Sequence, residues 1–156
     1  MTTLTHIERR HTITLPLDTA AAFALFTPKG EIAWVDDWRP EFLYPPDGEP
    51  RDGMVFRTGH GGETTLWACV AWEPEAHHMR YARLTPESRF GFVDVVCRAL
   101  APDMTAVTVG YDYTALSPAG QAYLDRLTEA EFAAMIDAWR ELIMARIIAV
   151  SGGAKR

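Results

Sequence analysis

Thr128-Glu-Ala-Glu-Phe-Ala-Ala-Met-Ile-Asp-Ala-Trp-Arg-Glu-Leu-Ile-Met-Ala-Arg-Ile-Ile-Ala-Val150 is the stretch on which the fold turns. Phe132, Met135, Ile136, Trp139, Leu142, Ile143, Ile147 and Val150 recur at three- and four-residue steps, which is one apolar stripe on a helix. Asp137, Arg140 and Glu141 fall on the other side. Thr128 and Glu131 have the spacing of a capping box, so the helix starts or restarts there. Its end is expected near Ser151-Gly152-Gly153, where glycine can take the left-handed closing conformation. Residues 152–156 are then a charged, disordered tail. A stripe this long needs a partner surface, and the rest of the chain must supply it.

Upstream, the period drops to two. His6 to Leu15 puts Ile7, His11, Ile13 and Leu15 on one face and Glu8, Arg10, Thr12 and Thr14 on the other, as in a half-buried strand. Pro16 ends it, Asp18 can cap a helix over Thr19 to Phe26, and Thr27-Pro28 starts a second short helix with Thr27 as cap. Val35 to Gly53 is rich in Pro, Asp and Gly and reads as loop, with a brief extended piece at Phe42 to Tyr44. Met54–Thr58, Thr64–Trp72, His78–Leu84, Ser88–Leu100 and Thr105–Ala115 then read as strands. The short turns between them imply an antiparallel meander. Ser117-Pro118 is a further helix start. The expected class is α+β, with a curved antiparallel sheet of six to seven strands.

Composition sets the outer limits. The 156 residues suit a single domain, because a core of that size buries roughly 70% of the unfolded surface. A net charge of −6 excludes a phosphate-rich nucleic-acid partner, which needs a basic surface. No run reaches the ~20 apolar residues of a membrane span, and the first ten residues lack the apolar segment of a secretory signal. The expectation is a cytoplasmic protein in which Cys69 and Cys97, both within apolar runs, are buried reduced thiols. None of the five histidines has zinc-site spacing, and Gly59-His-Gly-Gly62 lacks the strand-to-helix setting of a phosphate loop. No metal or other cofactor is called for, and monomer and homodimer both remain open.

A long sheet coils, and one helix does not fill its concave face, so a cavity is expected between them. Strand parity turns Val107, Val109, Tyr111 and Tyr113 inward, with Val93, Val95 and Cys97, with Trp67, Cys69 and Ala71, and with Met79, Tyr81 and Arg83. Met135, Ile136, Trp139 and Ile143 face them from the helix, while Trp34, Trp38 and Phe56 lie toward the lid. Trp139 suits plain core as well as cavity wall. The phenols of Tyr81, Tyr111 and Tyr113 would need hydrogen-bond partners and could orient a ligand. Arg83 either meets an anion inside or reaches water at a strand end. Asp36-Asp37 could serve acid–base chemistry but suits a turn better.

The element order and four segments carry a resemblance. They are Phe26-Thr-Pro-Lys-Gly-Glu31, Trp34-Val-Asp-Asp-Trp-Arg-Pro-Glu41, Gly53-Met-Val-Phe-Arg-Thr58, and Tyr111-Asp-Tyr-Thr-Ala-Leu-Ser-Pro-Ala-Gly120. The chain resembles the START and birch-pollen-allergen superfamily, which also contains polyketide cyclases, and in particular its bacterial branch grouped with activators of a heat-shock chaperone ATPase. The resemblance implies a helix-grip fold and a cavity for a small hydrophobic or amphipathic molecule such as a lipid, polyketide or aromatic metabolite. It implies no particular catalytic residue. A cyclase or dehydratase using the same cavity is the alternative, and a chaperone-activator-like interaction module the third reading.

Overall fold

The computed structural model describes residues 4–154, with side chains described through Ile147. Seven strands form one antiparallel sheet: β1 (His6–Leu15), β2 (Glu41–Tyr44), β3 (Val55–His60), β4 (Glu63–Glu73), β5 (His78–Thr85), β6 (Arg89–Ala101) and β7 (Met104–Ala115). The helices are α1 (Thr19–Ala24), α2 (Pro118–Arg126) and α3 (Glu129–Ala154). The strand order is β1-β7-β6-β5-β4-β3-β2. Strand β1 therefore pairs with the last strand, and β2 closes the opposite edge. The segment joining β1 to β2 must cross one end of the sheet, and it carries α1 and a 3-10 turn at Gly30–Ala33.

Local chemistry places these elements. Asp18 Oδ1 accepts from Ala21 N–H at 2.8 Å to start α1. Thr27 Oγ1 accepts from Gly30 N–H at 2.9 Å, so the expected cap is present. The second short helix is nonetheless one 3-10 turn, beginning two residues beyond Pro28. Ser117 Oγ caps α2 through Gly120 N–H, and Thr128 Oγ1 caps α3 through Glu131 N–H. Helix α3 continues through Gly152 and Gly153 to Ala154, past the expected end. Glycine permits a left-handed stop but does not impose one, and no proline follows to force it. Residues 155 and 156 of the expected tail lie outside the described residues.

Alternation decides which face is core. On β7, Val107, Val109, Tyr111 and Tyr113 are 0%, 0%, 8% and 1% exposed, while Thr114 is open to solvent. Helix α3 lies along β1, held by Arg140 Nε donating to the Thr14 carbonyl at 2.8 Å and by His11 with Asp137 at 2.7 Å. Phe132, Ile136 and Ile143 are buried against the sheet. Each such side chain contributes about 1.5–3 kcal/mol. Leu142, read as part of the stripe, is 40% exposed, because it sits at the margin of the buried arc.

Of three register shifts in the sheet, at Phe42/Tyr44, Cys69/Ala71 and Ala99/Ala101, the second changes which residues face the cavity. Cys69 pairs with Tyr81, but Ala71 pairs with Arg80, so Val70 is an extra residue and β4 bulges. Beyond the bulge the faces swap. Ala71 turns to the convex side beside Arg80, and Trp72 turns inward opposite Met79. The expectation that Ala71 faces the cavity is thus corrected. Two glycines mark close approaches. A side chain at Gly91 would enter the Tyr113 ring, and one at Gly120 would strike the Ser88 carbonyl, where α2 rests on the β5–β6 turn.

Candidate ligand-binding site

The concave face is not filled completely. A chamber of about 130 Å³ remains, lined by Phe26, Pro28, Glu31, Val35, Trp38, Phe56, Trp67, Tyr81, Arg83, Val93, Val95, Tyr111 and Trp139. The sheet supplies its floor from β3 to β7, α3 supplies Trp139, and the 3-10 turn with its flanks supplies the lid. The walls are mostly aromatic. Phe56 and Trp67 stack in parallel at 5.4 Å, and Trp38 meets both edge-on at 6.0 and 5.8 Å. The Trp38 indole donates to the Pro28 carbonyl at 2.8 Å, and the Trp67 indole to Thr58 Oγ1 at 3.0 Å. These bonds fix the orientation of both rings.

The polar groups are few and specific. Arg83 continues the inward series of β5 after Met79 and Tyr81, without a bulge. Its guanidinium lies over the Trp67 ring at 4.5 Å, donates to Tyr113 Oη at 3.0 Å and to Thr65 Oγ1 at 3.4 Å. Its Nε is buried without a partner. The ion-paired arginines among the described residues are Arg57, Arg80, Arg89 and Arg140, so Arg83 carries its charge uncompensated. The Tyr81 hydroxyl is also buried and unpartnered; Cys69, opposite it on β4, is only a weak sulfur neighbour. Burial pushes the Tyr81, Tyr111 and Tyr113 phenols above their ordinary range, so all stay neutral.

Glu31 projects from the 3-10 turn into the same chamber. Desolvation pushes its carboxyl well above the ordinary value of 4.5, with no compensating donor. Desolvation also pushes Cys69 up to about 11 and Cys97 up to about 12, so neither thiol is an activated nucleophile.

A second cavity of about 240 Å³ adjoins the chamber and shares Val35, Trp38, Trp67 and Arg83 with it. Its remaining lining is polar: Asp36, Asp37, Thr58, Gly59, His60, Glu63, Thr65, Arg89 and Tyr123. Asp36 and Asp37 are exposed at its mouth, and Asp37 has φ of 61°, the left-handed geometry of a turn residue. His6, Glu8 and Asp112 lie together on the outer surface away from both cavities, a grouping invisible to sequence spacing because it joins β1 to β7.

Of the residues expected at the cavity, Trp38, Phe56, Trp67, Tyr81, Arg83, Val95, Tyr111 and Trp139 line the chamber. Trp34 does not: it is packed between Phe26 and Trp139, its indole bonded to the Leu25 carbonyl at 2.8 Å. Tyr113 is not in the chamber lining; its hydroxyl accepts from Arg83, which is. Cys69 is buried in the β4 core, and Met135, Ile136 and Ile143 fill the tightly packed part of the groove. Glu31, Phe26, Pro28 and Val35 were missed as site residues because a Pro- and Gly-rich connection has no period to read. The signal that was present is Glu31 standing three residues before Trp34 in the segment that caps the cavity.

No protein-family model matches the sequence, and no curated protein does. Solved structures do. Norcoclaurine synthase from Thalictrum flavum, in complex with dopamine and hydroxybenzaldehyde, is 13% identical, covering 92% of this chain and 89% of that one with a TM-score of 0.65. The di-domain ARO/CYC BexL of the BE-7585A biosynthetic pathway is 13% identical over 88% of this chain and 46% of that one, with a TM-score of 0.67. The Mll3558 protein from Rhizobium loti is 17% identical over 90% and 99%, with a TM-score of 0.62. These likenesses show the fold alone: one seven-stranded antiparallel sheet, two short helical elements after β1 and a long terminal helix, the helix-grip fold.

Proposed function

We propose that the protein binds a small planar molecule, about one aromatic ring in size, in the chamber between sheet and α3. The carrying observation is a pre-formed gap of about 130 Å³ with stacked aromatic walls and unpartnered donors in it. A dry apolar cavity of roughly 150 Å³ is known to admit benzene. The volume favours a ring compound over a lipid chain or a large polyketide. Native mass spectrometry of freshly isolated protein tests this: a small adduct lost on denaturation is expected. Loss of binding on Val95→Trp, which fills the chamber, is expected in a ligand titration. A bound adduct unaffected by Val95→Trp would contradict the reading.

A second reading, acid–base chemistry on the bound molecule, is favoured by Glu31. A carboxyl in a water-poor aromatic chamber near Tyr81 and Arg83 can move a proton next to a polarised carbonyl. Solved neighbours of this fold include a synthase and a cyclase. The test is solvent deuterium exchange at the methyl group of acetophenone, followed by NMR. Exchange above the buffer rate that is lost in Glu31→Gln supports it; equal rates with and without protein refute it.

A further inference from the structure

Among the described residues, three buried side-chain polar atoms lack a partner: Tyr81 Oη, Arg83 Nε and Arg89 Nε. All three are donors, and all belong to residues lining the chamber or its polar neighbour. Unmade donors in a low-dielectric interior are costly, and their clustering marks where an acceptor is missing. Arg83 stands opposite Gly91, and Arg89 opposite Thr85, so the two arginines are diagonal neighbours on one face of the β5–β6 pair. Gly91 has no side chain, and the Tyr113 ring lies over it between them.

Their charges are not balanced alike. Arg89 is 4% exposed, reaches both Glu63 oxygens at 3.3 Å, and lies over the Tyr123 ring at 3.6 Å. Arg83 has only the neutral oxygens of Tyr113 and Thr65. The other acidic groups of the polar cavity, Asp36 and Asp37, are exposed and make no ion pair with Arg83. Glu63 is engaged by Arg89. Glu31 also lines the chamber but makes no ion pair with Arg83 among the described residues, so Arg83 stays without a counter-ion at the seam where the aromatic chamber meets the polar cavity, in a protein whose net charge is −6.

We infer that the ligand is an aromatic monoanion: its ring lies in the chamber, and its planar oxyanion is held by Arg83 on the side facing Arg89. This deepens the reading of a small-ring binder and rests on it. A guanidinium recognises a carboxylate with two parallel N–H···O bonds, which the free Nε and one Nη can provide. The anion also accepts from a donor that has no partner within the protein.

The experiment compares benzoate with its neutral isostere benzamide by calorimetric titration, on the wild-type protein and on Arg83→Met and Arg83→Lys. Benzoate is expected to bind at least tenfold more tightly than benzamide. Arg83→Met should erase that preference, costing benzoate at least tenfold more than benzamide, and Arg83→Lys should keep part of it. Benzamide binding as tightly as benzoate would overturn the inference and leave the ring-binding reading standing. Binding of neither would overturn both. A benzoate preference that survives Arg83→Met, in a variant whose melting temperature shows it folded, would also overturn the assignment to Arg83.

Discussion

The two ends of one groove are built differently. Where β1, β7 and β6 face α3, the inward residues are Ile13, Val107, Val109 and Cys97, met by Ile136 and Ile143, and the space is closed. Where β3, β4 and β5 face the lid, they are Phe56, Trp67, Tyr81 and Arg83, met by Trp38 and Trp139, and a chamber stays open. Branched aliphatic side chains interdigitate to the density of a solid. Flat rings pinned by their own N–H groups, and a charge that must not be buried alone, cannot collapse in that way. Stability is concentrated at the closed end, and the proposed recognition at the open one.

The largest expected effect lies at the closed end. Ile136→Ala should cost about 3 kcal/mol and lower the melting temperature by roughly 10 °C. Val95→Ala, which only widens an existing gap, should cost less than half of that. Equal losses in calorimetry would erase the distinction. Gly120→Ala should cost about 1–3 kcal/mol, because its new methyl group meets the Ser88 backbone and not a flexible side chain. It should also weaken ring binding, since α2 carries Tyr123 over Arg89 at the polar cavity.

Arg83→Met should reverse the usual sign for a half-buried substitution. Removing a charge with no counter-ion should leave stability unchanged or raise it by about 1 kcal/mol. A loss of several kcal/mol would show that Arg83 is structural. Glu31→Gln should act through pH. The folded carboxyl binds its proton more tightly than the unfolded one, so wild-type stability falls as pH rises from 4.5 to the raised folded value, then levels off. The variant should therefore match wild type near pH 4 and melt higher at pH 8. Coincident melting curves at pH 8 would contradict the burial of this group.

The smallest effect is on the convex face. His78 contacts Glu73 at 2.6 Å and Asp94 at 2.5 Å, and Asp94 also pairs with Arg80. Desolvation lowers the His78 pKa, but the two carboxylates outweigh it and the net direction is up. Its contribution is present below 6.5 and lost as pH rises through the folded value. His78→Gln should cost under about 1 kcal/mol at pH 5.5 and nothing by pH 9.

How much of this was legible follows from where periodicity exists. On β7 and β5 an unbroken alternation told Val109 from Thr108 and Tyr81 from Arg80. It also put Arg83 on the inner face, although sequence alone left open whether the side chain reaches water. At Val70 the extra residue inverted the reading of Ala71, because a bulge leaves no compositional trace in an all-apolar run. Trp34 and Trp38 looked alike in sequence, yet one is spent on packing and the other on the chamber; their difference is set by which carbonyl each indole finds. Glu31 lay in a segment with no period, so its place in the chamber follows from the 3-10 turn that carries it.

The five tryptophans give the most direct test of the central claim, because three line the chamber and Trp72 lies outside it, stacked on Phe23 at 5.4 Å. Indole N–H resonances of the ¹⁵N-labelled protein can be followed while benzoate and benzamide are added. Saturable shifts of Trp38, Trp67 and Trp139 with Trp72 unmoved are expected. Five unmoved indoles, or shifts of Trp72 as large as those of the other three, would contradict a ligand seated between the sheet and α3.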